Sequence, residues 1–404
     1  MRLLHIVGSG RLPRDPDLEG ASGVVRAALE IARAQAKRGH EPWVVAVDRD
    51  AWETEWRGVK LVRLRLASWA HARLGKRVLD LRVHLPLIVF TRRHAFDVVH
   101  GYLHYYMRFL RARQRMVFFQ TDPFHGGFTA DRNAMSEADF ALIARTSHVQ
   151  LAASRFVADQ LQRGLTGGGN VHVVYNGVDS EHFDVDGYAD QRRRLREEWG
   201  VSDGDVVFVY AGAVVPEKGV LQLGRAFVGL HGRTGRVHLA LAGGAALWDQ
   251  SLADLVSVRP YEEEVRASLA PAARQGKVHF LGSLGRTDMA AVYAASDVAV
   301  VPSVWQEPFG LVAVEALASS RPVIASRSGG LPEVVDERCG VLVPPGDERA
   351  LLDAMRALAG DAARRDRLGA AGRLRALRFS WERAAHTLDA IYFNCVPNGN
   401  EKGG

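Results

Sequence analysis

The chain has 404 residues, 47% of them hydrophobic and 24% charged, which suits two domains with real cores and excludes a disordered or fibrous chain. Its 52 Lys and Arg against 46 Asp and Glu leave a net charge of +6, which favours anionic partners (a nucleoside diphosphate, a phospholipid surface or nucleic acid) without choosing among them. Two cysteines, Cys339 and Cys395, with no CxxC pair exclude a disulfide framework and fit a reducing compartment.

The apolar run Leu3–Val7 is too short for a signal peptide, and no run approaches the length of a membrane span. The expectation is a cytoplasmic protein, with peripheral membrane contact left open. Leu3–Val7 reads as a buried parallel strand, followed by a loop holding Gly8, Gly10, Gly20 and Gly23. Val24–Lys37 repeats apolar residues at helical spacing and stops at Gly39, and Trp43–Val47 is the next strand. Strand, glycine loop, helix and strand make a Rossmann-type unit, whose turn exposes backbone N–H groups to a phosphate.

Residues 57–94 set many Arg and His among Leu and Val, the pattern of a surface strand and helix or of a basic amphipathic element touching membrane or acceptor. Pro86 interrupts the helical pattern, and Leu85–Phe90 reads as core. Phe96–His100 is a further strand. His100 and His104 stand four apart, a zinc-binding spacing, but Gly101 occupies the position where a metalloprotease helix needs Glu. Three Asp-x-Asp tripeptides, at Asp48/Asp50, Asp184/Asp186 and Asp203/Asp205, each lie beside a turn and read as solvated carboxylates.

Met116–Phe119 is a strand that ends in Gln120, Thr121 and Asp122, with His125 close by. Val149–Ser154 and the following SRFVADQL read as strand and helix, with Ser154 as N-cap. Asn176-Gly177 is a turn, and the charged run Gln191–Glu198 with the turn Ser202–Asp205 reads as the link between domains. That run carries both signs and no nucleic-acid reader motif accompanies it. The second half alternates strands (Val206–Ala211, Val237–Ala242, Lys277–Gly282, Val298–Val301, Gly340–Val343) with helices, and closes with helical patterns at Ala350–Leu358, Ala362–Ala376 and Trp381–Tyr392. Lys218 stands at the mouth of the helix that starts at Val220, where a cation is disfavoured by the helix dipole and calls for an anion.

The most informative stretch is Pro302–Val335. A polar loop to Glu307 leads through Pro308, tolerated in a first helical turn, into an apolar helix expected over Phe309–Ser319. Arg321–Ser326 then reads as a short strand. Glu315 lies among Val312, Ala313, Val314, Ala316 and Leu317, so its carboxylate is expected to be buried and to need partners, such as ligand hydroxyls. Glu307 precedes the helix, where a carboxylate also serves as a cap. The two stand eight residues apart, about 12 Å at helical rise, the reach from hexose to ribose in a nucleotide-sugar. The amides of Phe309, Gly310 and Leu311 would face an anion between them.

EPFGLVAVEALA followed by GGLPEVV resembles the signature of the glycosyltransferase group 1 family. The resemblance implies a retaining, metal-independent hexosyltransferase of the α/β GT-B fold, with two Rossmann-like parallel-sheet domains facing a cleft. It implies no cofactor, with a nucleoside-diphosphate sugar as donor and a hydroxyl-bearing acceptor, a small saccharide-like metabolite or a glycan; the nucleobase stays open, with UDP the expectation. The first domain would cover residues 1–182 and take the acceptor. The second, 200–379, would take the donor, and a last helix, about 380–394, would cross back onto the first. Glu307 would orient the donor sugar and Glu315 bind the ribose. Lys218 would bind the diphosphate, with the loop at Gly20 and Ala21 lying over it, and the loop after Gly282 would hold the nucleobase. Gln120 takes the place of a family histidine and Ala213 that of a family arginine. Arg286 and Arg327 are candidate replacements for that arginine, as His125 is for the histidine. These departures keep a second reading in play, a donor-binding protein that has lost catalysis; a third is a nucleotide-sugar epimerase or hydrolase on the same fold.

Overall fold

The computed structural model describes residues 1–8, 12–67, 76–102, 110, 117–120, 137–165, 169–244 and 259–395. The chain divides into two units. One holds residues 1–16, 21–176 and 381–404, the other 17–20 and 177–380.

The first unit is built on an eight-stranded sheet. In chain order its elements are β1 (Arg2–Gly8), α1 (Gly23–Lys37), β2 (Glu41–Asp48), β3 (Trp52–Trp56), β4 (Val59–Arg65), α2 (Lys76–Arg93), β5 (Val98–Gly101), β6 (Val117–Gln120), α3 (Glu137–Thr146), β7 (Val149–Ala152), α4 (Arg155–Gly164) and β8 (Val171–Val173). The strand order is β3-β4-β2-β1-β5-β6-β7-β8. Every pair is parallel except β3 and β4. That antiparallel hairpin turns at Arg57 and Gly58, both with positive φ (50° and 80°), as the twist of a two-residue hairpin requires. Pro86 does not end α2, which runs on to Arg93. Leu87 and Phe90 are buried against the sheet core, and that packing outweighs the hydrogen bond a proline cannot give.

The second unit runs α5 (Ala189–Glu198), β9 (Val206–Ala211), α6 (Val220–Thr234), β10 (Val237–Ala242), α7 (Arg259–Ala273), β11 (Val278–Gly282), α8 (Arg286–Ala295), β12 (Val298–Val301), α9 (Leu311–Ala318), β13 (Val323–Ser326), α10 (Leu331–Val334), β14 (Gly340–Val343), α11 (Glu348–Ala359) and α12 (Ala362–Ala376). Its six strands are parallel, in the order β11-β10-β9-β12-β13-β14. The runs VVFVYA, VHLALA and VAVV are buried almost throughout, as a sheet covered on both faces demands. The order reverses between β9 and β12, and loops leaving the carboxyl ends of strands at such a point form a crevice.

The charged run at 191–198 is not a linker. It lies in α5, which packs on α8 within the second unit. Arg196 donates to the Ala295 carbonyl and to Asp297, both at 3.0 Å. The same arginine also reaches the Asp205 carbonyl. The boundary falls at Asn176/Gly177, because Val178 bridges to Ser380 and its N–H donates to the Phe379 carbonyl at 2.9 Å. The last helix, α13 (Trp381–Cys395), groups with the first unit and packs on α1. There Asp389 accepts from Arg38 at 2.6 Å and bonds His40 at 3.0 Å. No helix among the described residues is long and apolar enough to cross a membrane.

Each unit buries histidines. His5 on β1 contacts Gln35 at 2.8 Å and the Tyr102 hydroxyl at 3.2 Å, and burial pushes its imidazole down to about 4. In the second unit His238 and His279 stack, with Asp205, Lys277 and Arg236 around them. Burial, with His238 and Lys277 adjoining, brings His279 to about 4 as well. Both imidazoles are neutral when folded and take up protons near their ordinary value when unfolded. Their contribution is therefore complete above about pH 6.5 and lost as pH falls towards 4, with about 2–3 kcal/mol for His5 and less for the partly exposed His279. Thermal melts are expected to hold steady from pH 8 to 6.5 and to drop by pH 4.5; a melting temperature unchanged at pH 4.5 contradicts this.

Candidate functional site

The loops after β9 and β12, on either side of the reversal in strand order, bring two expected residues together. After β9 the chain makes a single tight turn, Pro216–Lys218, before α6. There Lys218 Nζ lies 2.6 Å from Glu307 Oε2, in the loop after β12. The same oxygen accepts from Ser303 Oγ and from Trp305 Nε1, both at 3.0 Å. The ammonium also sits 4.9 Å from the centre of the Trp305 ring. Burial by itself would raise the Glu307 carboxyl, but the Lys218 charge and these three hydrogen bonds outweigh it and hold the group below the usual carboxylate range. All three bonds converge on Oε2, so Oε1 keeps its acceptor capacity. The anion that Lys218 meets is Glu307.

Close backbone packing fixes these loops. A Cβ on Gly219 would stand 2.0 Å from the Pro302 carbonyl oxygen, and one on Gly329 would stand 2.1 Å from that of Glu307. Gly330 N–H donates to the Glu307 carbonyl at 2.7 Å, and Gly329 N–H to Gln306 Oε1 at 2.9 Å. The Ser328 hydroxyl donates to the Trp305 carbonyl.

The helix carrying Glu315 starts at Leu311, not at Phe309, because Gly310 takes a left-handed conformation (φ 93°). Pro308 and Phe309 lie before it, and Phe309 is buried with its ring edge-on to Phe379. Among the described residues the amides of Gly310 and Leu311 form no hydrogen bond, as first-turn amides do until a ligand or cap meets them. Glu315 is 4% exposed and accepts from the Tyr293 hydroxyl at 3.3 Å, which rules out the solvated alternative.

Gly282 ends β11 with positive φ, and its carbonyl accepts from Gly243. Gly20 groups with the second unit and Ala21 with the first. Gln120 closes β6, but its side chain lies outside the described residues, as do His104, Asp122 and His125. Ala213 is buried and its carbonyl accepts from Tyr210 at 2.6 Å. Of the two candidate replacements for the expected arginine, Arg286 is buried and bound to Asp179 at 2.7 Å, and Arg327 is exposed just beyond β13. Asp48 and Asp50 pair with Arg63. Sequence reasoning missed Trp305, Ser303 and Tyr293, although Trp305 stands only two positions before Glu307. It also missed Glu217, a buried carboxylate whose two oxygens meet no side-chain partner among the described residues and whose burial raises it above the ordinary range.

Two Rossmann-like units, each built on a largely parallel sheet, define the GT-B class of fold. The chain aligns over 97% of its length with sucrose-phosphate synthase from Thermosynechococcus elongatus, covering 98% of that chain, at TM-score 0.78 and 22% identity. It aligns over 98% with Anabaena HepE in complex with UDP-glucose, covering 100% of that chain, at TM-score 0.73 and 18% identity. The family model described as "Glycosyl transferases group 1" matches residues 191–375, and that described as "Glycosyltransferase Family 4" matches 21–182. The chain belongs to the group 1 glycosyltransferases. One curated relative, the D-inositol 3-phosphate glycosyltransferase of Corynebacterium kroppenstedtii, is 32% identical over 259 residues, covering 60% of this chain and 54% of its own. The chain thus spans about half the length of the curated relatives it matches.

Proposed function

We propose that the protein is a retaining glycosyltransferase that moves a hexosyl group from a nucleoside-diphosphate sugar, UDP-linked by preference, to the hydroxyl of a small polyol or sugar, without a metal. The observation that carries this reading is the Lys218–Glu307 pair beside the open amides of Gly310 and Leu311. Transfer requires stabilisation of the negative charge that grows on the departing diphosphate, and preorganised donors do this best. Lys218 and those amides supply it. Glu307, with Oε1 open, accepts from the sugar hydroxyls, while Glu315 receives the ribose and Gly282 and its loop lie along the base. The Gly20–Ala21 loop adds amides to the diphosphate, and Gln120 orients the acceptor without acting as a base, since an amide does not titrate. The name of the inositol-phosphate relative supports a phosphorylated small acceptor, and the net positive charge agrees with one.

The test is a thermal-shift and hydrolysis panel of UDP-, GDP- and ADP-hexoses. At least one is expected to stabilise the protein and to be slowly hydrolysed, and Glu315→Ala is expected to weaken its binding at least a hundredfold, two ribose hydrogen bonds to a buried carboxylate being worth about 3 kcal/mol together. A panel without binding overturns the reading. One observation favours a second reading, donor binding without turnover: Ala213 stands where the family carries an arginine, and its surroundings are closed. Binding without hydrolysis or transfer to any acceptor would select it.

A further inference from the structure

Trp305 touches both charged groups of the pair and is itself fixed from two sides. Its indole N–H donates to Glu307 Oε2 at 3.0 Å, and its ring lies 4.9 Å from Lys218 Nζ. Its backbone N–H donates to the Glu217 carbonyl at 3.3 Å, and its carbonyl accepts from the Ser328 hydroxyl. One residue therefore ties the loop after β9, the loop after β12 and the loop after β13 at the point where Lys218 and Glu307 meet.

The pair poses a problem that this residue answers. Lys218 and Glu307 are bound to each other at 2.6 Å, while a diphosphate donor needs the ammonium for itself. Once Lys218 turns to the diphosphate, Glu307 loses that cation and, among the described residues, retains the neutral donors Ser303 and Trp305. The aromatic face attracts the ammonium without neutralising it. We infer that Trp305 is a positioning residue for the donor, holding Lys218 on its face and Glu307 by its N–H while the lysine passes from the carboxylate to the diphosphate. This rests on the proposed transferase reading and adds to it a division of labour between ring and N–H.

Two variants separate the parts. Trp305→Phe keeps a ring and removes the N–H; Trp305→Leu removes both. The readout is steady-state hydrolysis of UDP-glucose, or of whichever UDP-, GDP- or ADP-hexose the wild type hydrolyses, with melting temperatures alongside. Trp305→Phe is expected to lower kcat about tenfold, the loss of one hydrogen bond to a charged group, with KM unchanged within a factor of about two. Trp305→Leu is expected to lower kcat equally and to raise KM for the donor about threefold to tenfold, the loss of one cation–π contact. A Trp305→Phe protein with wild-type kcat overturns the inference, as does a uniform loss in both variants that tracks a lowered melting temperature. A wild type that neither binds nor hydrolyses any donor overturns the transferase reading, and the inference with it.

Discussion

Lys218→Ala is expected to abolish donor turnover and to lower the stability of the second unit by about 3 kcal/mol. The Lys218 and Glu307 side chains are 18% and 12% exposed, so removing the cation leaves a carboxylate in a nearly dry site. Truncating one partner of such a pair costs about 3–5 kcal/mol, most of it the penalty of the stranded charge, and the residual exposure places the figure at the lower end. Glu307 would then rise from its depressed position towards protonation, since Lys218 heads the influences that lower it. The double variant Lys218→Met with Glu307→Gln strands no charge and is expected to recover most of the stability and none of the activity. Urea unfolding of the three proteins measures this; a Lys218→Ala protein as stable as the wild type contradicts it.

The second large effect is expected from Gly329→Ala. At φ 57° its Cβ would stand 2.1 Å from the Glu307 carbonyl oxygen and 2.6 Å from the Glu307 nitrogen. Both obstacles are backbone, so no side-chain rotation relieves them. Gly330 N–H holds the same carbonyl at 2.7 Å, and moving that carbonyl breaks this bond and displaces Glu307. Strained backbone and a broken buried hydrogen bond together place the cost at about 4 kcal/mol or more. The expected result is a second unit that is unfolded or, where it folds, inactive. A Gly276→Ala control has positive φ as well but open space around the added carbon, and is expected to cost about 1 kcal/mol. Equal loss in the two variants would refute the claim that contact with Glu307 sets the effect.

Much of the fold is legible in the sequence because buried parallel strands are short apolar runs between glycine or polar turns. Val206–Ala211, Val237–Ala242, Val298–Val301 and Gly340–Val343 all appear where such runs stand. Local signals fail where tertiary contacts decide. Pro86 reads as a break, yet α2 passes through it because Leu87 and Phe90 are buried. The charged run at 191–198 reads as a link between domains, yet it lies in α5, whose Arg196 binds three groups of its own unit. At the site, the spacing of Glu307 and Glu315 and the apolar neighbours of Glu315 mark both carboxylates. The side chains that meet them are not local. Lys218 meets Glu307 across 89 positions and Tyr293 reaches Glu315 across 22, contacts set by which strands adjoin. Trp305 lies in sight of the motif, but an aromatic in a loop reads as packing until its two charged neighbours are located.

The most direct measurement is a crystal structure of the protein with UDP. Diphosphate oxygens are expected within hydrogen-bond distance of Lys218 Nζ and of the Gly310 and Leu311 amides, with the ribose hydroxyls on Glu315 and the lysine drawn off Glu307. Nucleotide density away from these residues, or none at millimolar UDP, would contradict the assignment.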